Sequence, residues 1–118
     1  MTMTLKQIAE SLKLTVKAGQ GELERAVTGG YAGDLLSDVL AHARSGDVWV
    51  TLQTHNNIVA VASARELTGI IIVNNRTPEE ATLRKADEER IPILVSPHST
   101  YEVVCRLSEL GVKNGEGV

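Results

Sequence analysis

Apolar residues near the start of the chain recur three and four positions apart. Leu5, Ile8, Ala9 and Leu12 fall on one side of a helix, and Thr4 followed three residues later by Gln7 has the capping-box spacing. This predicts a helix over 5–13. The period then drops to two: Leu14, Val16 and Ala18 alternate with Thr15 and Lys17, as in a short strand, and Gly19-Gln20-Gly21 marks a turn. A second strand is predicted over 26–28, running into the loop Gly29-Gly30-Tyr31-Ala32-Gly33-Asp34. Asp34 is placed to N-cap a helix with Leu35, Leu36, Val39, Leu40 and Ala43 on one face, closed by Gly46-Asp47.

Val48-Trp49-Val50-Thr51-Leu52 is rich in β-branched and aromatic residues and predicts a strand. Thr54-His55-Asn56-Asn57 supplies capping side chains, and the alanine-rich 58–64, flanked by strands, is read as a helix. Ile70-Ile71-Ile72-Val73 is a continuous apolar run of the kind found in buried parallel strands. After a loop over 74–77, Thr77 caps, Pro78 takes the first helical position, and Glu79 and Glu80 fill the first turn of a helix to about Arg90. The last strand is 91–95, its proline placing it at or near an edge. Ser99 or Thr100 caps a final helix striped by Val103, Val104, Leu107 and Leu110 and stopped by Gly111; the tail 113–118 is expected to fray. Strand and helix alternate through the second half. The prediction is a single α/β domain over 1–118, core about 5–110: a mostly parallel sheet of about five strands flanked by helices in three layers, with right-handed crossovers.

Composition narrows the function. The chain has 118 residues, one domain's worth, and no Phe, one Trp and two Tyr, so the core must come from Leu, Ile, Val and Ala. A net charge of −3 offers no basic field for phosphates, and the scarce aromatics offer no base-stacking platform, so no nucleic-acid partner is expected. The apolar runs are too short to span a bilayer. The lone Cys105 cannot form an internal disulfide, which fits a reducing cytoplasm. It falls in the apolar stripe of the last helix and is read as a buried structural thiol. His42, His55 and His98 are far apart in sequence, without paired-ligand spacing, so neither a metal nor another cofactor is expected.

The most informative segment is Arg25-Ala26-Val27-Thr28-Gly29-Gly30-Tyr31-Ala32-Gly33-Asp34. With Glu24 in the Asp position, Glu24, Arg25, Thr28, Gly29 and Gly30 resemble the motif that names the DRTGG domain. Residues 31–38 and 47–57 also look like that family, and the likeness extends over about 5–110. The resemblance implies a regulatory module, of the sort found beside phosphate acetyltransferase domains and between the CBS domains of certain pyrophosphatases, where it contributes to dimer contacts. It therefore implies a homodimer. The family is also similar to the N-terminal domain of HPr kinase/phosphorylase. Kinase activity of that type needs G-x-x-x-x-G-K-[ST]. Gly29, Gly30 and Gly33 have no following Gly-Lys-Thr, so kinase activity is rejected.

Two readings stand for each candidate. A glycine turn between strand and helix presents N–H groups that, with the helix dipole, hold an anion; the plainer reading is that Gly29 and Gly30 serve only conformation and close packing, and Asp34 would repel a phosphate. Thr54, His55, Asn56 and Asn57 should lie at the carboxyl end of the Trp49 strand, where open α/β sheets bind ligands, or else serve only to cap. Asp34 and Asp38 fall four apart, a paired-carboxylate spacing that is ordinarily a solvated helix face. The expected function is a non-catalytic regulatory module. It senses a small anionic metabolite or nucleotide through Thr28, Gly29, Gly30, Tyr31, Asp34, Thr54, His55, Asn56 and Asn57, and mediates homodimerisation. The alternatives are a docking subunit for a partner enzyme and, behind it, a small enzyme using His55.

Overall fold

A computed structural model describes residues 2–113. In chain order the elements are β1 (Met3–Thr4), α1 (Leu5–Leu12), β2 (Thr15–Ala18), a 3₁₀ turn (Gln20–Glu22), β3 (Ala26–Val27), β4 (Gly29–Ala32), α2 (Leu36–His42), β5 (Asp47–Thr51), α3 (Asn57–Ala64), β6 (Gly69–Ile72), α4 (Glu80–Glu89), β7 (Ile93–Val95) and α5 (Thr100–Glu109). Five strands form one sheet in the order β2-β7-β6-β5-β4, and β1 pairs with β3 in a second, two-stranded sheet. β4, β5, β6 and β7 run parallel; β2 is antiparallel to β7.

Alternation along the strands divides the core. Trp49, Ile70, Ile72 and Ile93 pack with Val39 of α2, Ile58 and Ala62 of α3 and Ala86 of α4. Val48, Val50, Ile71 and Leu94 face the other way, onto Leu5, Ile8 and Leu12 of α1 and Val103 and Leu107 of α5. Every residue of β5 and β6 is buried, as expected for parallel strands covered on both faces. This is the three-layer α/β arrangement predicted above.

Several local signals act as read. Thr4 Oγ1 accepts from the Gln7 N–H at 3.2 Å while Gln7 Oε1 accepts from the Thr4 N–H at 2.9 Å, completing the capping box. Ser99 caps α5 through the Glu102 N–H. The strand–helix alternation from β5 to α5 follows the predicted order.

Other expectations are corrected. The predicted strand over 26–28 stops at Val27 and pairs with Met3–Thr4, outside the main sheet. The glycine run is no loop: Gly29–Ala32 is the edge strand β4, paired in register with residues 47–50. A strand needs only extended backbone and a neighbour, and β5 supplies the neighbour; composition could not show this. Asp34 does not cap α2, whose cap position is Leu35. Its Oδ1 instead accepts from the Thr51 hydroxyl at 2.9 Å and the Leu52 N–H at 2.8 Å, which ties it to the end of β5. The short helix buries only Val39, and Leu35 and Leu40 are exposed. α4 begins at Glu80 rather than Pro78, because the Thr54 carbonyl takes both the Glu79 N–H and the Thr82 hydroxyl and holds the chain extended up to that point. Cys105 is exposed, not buried. α5 buries Val103 and Leu107, and Cys105 lies about 200° around the helix from the first of these. Residues 114–118 of the expected fraying tail lie outside the described residues.

Candidate functional site

Parallel strands bring their carboxyl ends to one side of the sheet, where four connections leave together: 33–35, 52–56, 73–79 and 96–99. Asp34 crosses from the β4 exit to the β5 exit with the two bonds above, and the Gln53 side-chain amide donates back to the Asp34 carbonyl at 2.8 Å. The Asn74 and Asn75 N–H groups reach the His98 and Ser96 carbonyls, each at 2.8 Å. Both asparagines are left-handed, with φ of 59° and 53°, a conformation their side chains tolerate better than most. The rim is thus a stapled polar surface on a rigid sheet.

His55, Asn56 and Asn57 stand on this rim and are exposed at the start of α3. The Asn57 N–H donates to His55 Nδ1 at 3.3 Å. With that nitrogen accepting, a neutral imidazole carries its proton on Nε2. No carboxylate among the described residues hydrogen-bonds His55 to orient it as a base, and Asn56 makes no side-chain cap bond. Thr54 contributes its carbonyl to α4.

The rim does not include all of the predicted residues. Thr28 donates its N–H to the Gly46 carbonyl, and Gly29 and Gly30 lie beside Asp47 and Val48, at the amino end of β5. Thr54–Asn57 follow the other end of that strand, about 13 Å away at 3.3 Å per residue. The structure therefore gathers Asp34, Thr54, His55, Asn56 and Asn57, and sets Thr28, Gly29 and Gly30 apart from them.

Tyr31, midway along β4, donates its hydroxyl to Asp38, whose other carboxylate oxygen lies 3.1 Å from His42 Nδ1. The hydrogen bond to Asp38 and, secondarily, burial raise the phenol above its ordinary value, so Tyr31 stays a donor. Asp38 is therefore used locally rather than paired with Asp34, which lies off the helix. On the opposite face of β4, a groove of about 450 Å³ opens against α5, lined by Gly30, Ala32, Val50, Val104 and Leu107 among others. Sequence reasoning missed this groove. Its one signal was Val104, an apolar residue on the stripe of α5 that the helix does not bury.

Asp47 at the entrance to β5 is the other missed group. It is buried, its Oδ2 accepts from the Arg44 N–H at 2.9 Å, and its Oδ1 has no hydrogen-bond partner. Burial raises its carboxyl above the ordinary aspartate value, partly offset by the Arg44 N–H and guanidinium. A raised folded-state pKa gives stability that is full below the unfolded value, about 3.9, and is lost as pH rises through the folded one. Asp47→Asn removes that titration. Urea unfolding from pH 4 to 7 should show the variant gaining on wild type as pH rises, and parallel curves would contradict the assignment.

Comparison with known proteins places this architecture. The fold and the two ends of its sheet define a three-layer α/β domain with a parallel-strand rim. The DRTGG domain family matches residues 7–110. The chain belongs to the DRTGG domain family. Among solved structures it is similar to the CBS and DRTGG domains of the regulatory region of Clostridium perfringens pyrophosphatase, which that structure holds in complex with the activator diadenosine tetraphosphate. The TM-score is 0.72 at 12% identity, over 97% of this chain and 51% of that one. At this identity the likeness establishes the fold, and this chain spans about half of that regulatory-region chain. No curated protein matches. Among the described residues no helix is long and apolar enough to cross a membrane.

Proposed function

We propose that this DRTGG domain is a regulatory, non-catalytic module that senses a small anionic metabolite or nucleotide and works as a homodimer. The observation that carries the reading is that nearly the whole chain shares its fold with the regulatory region of a pyrophosphatase solved with a nucleotide activator. Asp34, Thr54, His55, Asn56 and Asn57 form the ligand-contacting rim, with His55 Nε2 as donor. Thr28, Gly29, Gly30 and Tyr31 make a second contact region along β4. A non-catalytic role is supported by the chemistry at His55: its Nδ1 is occupied by a backbone N–H, and an acid–base pair needs an orienting partner there.

The test is a thermal-shift series with nucleotides, diadenosine tetraphosphate and acetyl phosphate. A ligand at a hundred times its Kd adds about 2.7 kcal/mol, enough to raise Tm by several degrees, and His55→Ala with Asn57→Ala should abolish the rise. No shift with any of these at millimolar concentration overturns the sensing reading. A second reading, docking onto a partner enzyme, is favoured by the exposed apolar side chains around β4.

A further inference from the structure

The groove beside Val104 exists because one strand face is nearly bare. Gly30 and Ala32 stand in register with Val48 and Val50, and neighbours in register point to the same side of a sheet. Val48 and Val50 pack toward α1 and α5. β4 therefore offers α5 only a hydrogen and a methyl group. The helix does not fill the space above them, and Val104 stays 40% exposed. What is left is about 450 Å³, a size common among small-molecule sites.

The walls are apolar, from Val50, Val104, Leu107 and Val112. Ser108 adds a hydroxyl, and Lys113 is the one charged residue among the described residues of the lining. The Gly30 N–H donates to the Lys113 carbonyl at 2.9 Å, which fixes that residue against β4. The charges of α5 lie elsewhere: Glu102, Arg106 and Glu109 line a separate cleft beside Ser11 and Leu12 of α1. An apolar trough with a lysine and no carboxylate on its lining is complementary to an apolar body that carries an anionic head.

We propose that this groove binds a small aliphatic carboxylate, its chain along Val50, Val104 and Leu107 and its head at Lys113. This deepens the sensing reading above and rests on it, since it names a ligand class for the contact region along β4. The chain supplies affinity by leaving water, and the lysine selects the sign of the head.

Titration of the full-length chain with butanoate, hexanoate and octanoate, followed by calorimetry and by amide NMR shifts, tests the site. Each added methylene should tighten binding by up to about fourfold. The shifted amides should be those of Gly30, Ala32, Val104 and Ser108, not those of His55 and Asn57. Lys113→Met should weaken octanoate about threefold, as expected for an exposed ion pair. Val104→Glu, on the exposed side of α5, should weaken it by at least about tenfold by setting like charges together, with circular dichroism confirming the fold. Octylammonium should bind more weakly than octanoate; equal or tighter binding overturns the anionic assignment. No shift at these amides with millimolar octanoate overturns the site. If nucleotides still raise Tm through His55 and Asn57, the sensing reading stands without it; if they do not, both fall. Binding only after removal of residues 114–118 assigns the groove to the chain's own end, and binding only in dilute protein assigns it to a second copy. Either result also overturns the proposal.

Discussion

Replacing Gly19 by alanine should cost about 3 kcal/mol or more and lower Tm by roughly 10 °C. Two independent terms add. Gly19 has φ of 69°, a left-handed conformation that costs a residue with a Cβ about 1 kcal/mol or more. An added Cβ would also stand 2.6 Å from Pro92 Cα and N and 2.8 Å from Ile91 C. Those are main-chain atoms entering β7 and cannot rotate away, so overpacking adds a further 1–3 kcal/mol or so. The turn is fixed from outside as well, since the Gly19 N–H donates to Asp87 Oδ1 at the end of α4 at 2.8 Å. Gly21, two residues on, is the control: nothing lies within 4 Å of its added Cβ, and Gly21→Ala should change stability by less than about 0.5 kcal/mol. Thermal melts of the two variants side by side measure the difference. Equal melting temperatures would mean that the close approach of the β2 exit to β7 is not as described.

Trp49→Ala should be still more damaging, about 3–5 kcal/mol by the usual cost of truncating a buried tryptophan. The side chain is fully buried among the residues under α2, α3 and α4. Its Nε1–H donates to the Gly33 carbonyl at 2.8 Å, so truncation also strips the exit of β4 of its tether. Trp49→Phe separates the two contributions: it keeps most of the apolar volume and loses only the donor, and about 1–2 kcal/mol should go with it. Urea unfolding followed by circular dichroism reads both variants. If Trp49→Phe matches wild type, the Gly33 bond contributes little and β4 is held by its ladder and the Asp34 bonds. Because the exit of β4 carries Asp34, loosening it should disturb the rim before the domain as a whole unfolds.

The central strands and the helices between them were legible in the sequence because their cause is local. Ile70, Ile71 and Ile72 form a strand wherever they are buried on both sides. The Thr4–Gln7 pair starts a helix by its own hydrogen bonds, and Val103 with Leu107 sets the buried face of α5. The carboxyl-end placement of Thr54, His55, Asn56 and Asn57 followed from strand–helix alternation alone. The errors share a physical origin. The glycine run looked like a loop because glycine favours turns, yet the neighbouring β5 made it a strand. Asp34 looked like a cap because caps are local, yet the Thr51 hydroxyl and the Leu52 N–H competed for it and won. Cys105 was assigned to the apolar stripe although it lies two residues from the buried positions.

The order of apolar and polar residues thus determined the class of fold, the parallel sheet and its carboxyl-end rim, all of which depend on contacts within a few residues or on periodicity, while the identities of Glu24, Arg25, Thr28, Gly29 and Gly30 carried the DRTGG resemblance. Tertiary structure alone decided which strand is the edge, that the motif glycines lie at the opposite end of β5 from His55, that Asp47 is buried with an unpaired oxygen, and that a groove opens beside Val104. Each of these depends on which distant segment comes to lie alongside, and no local period encodes that.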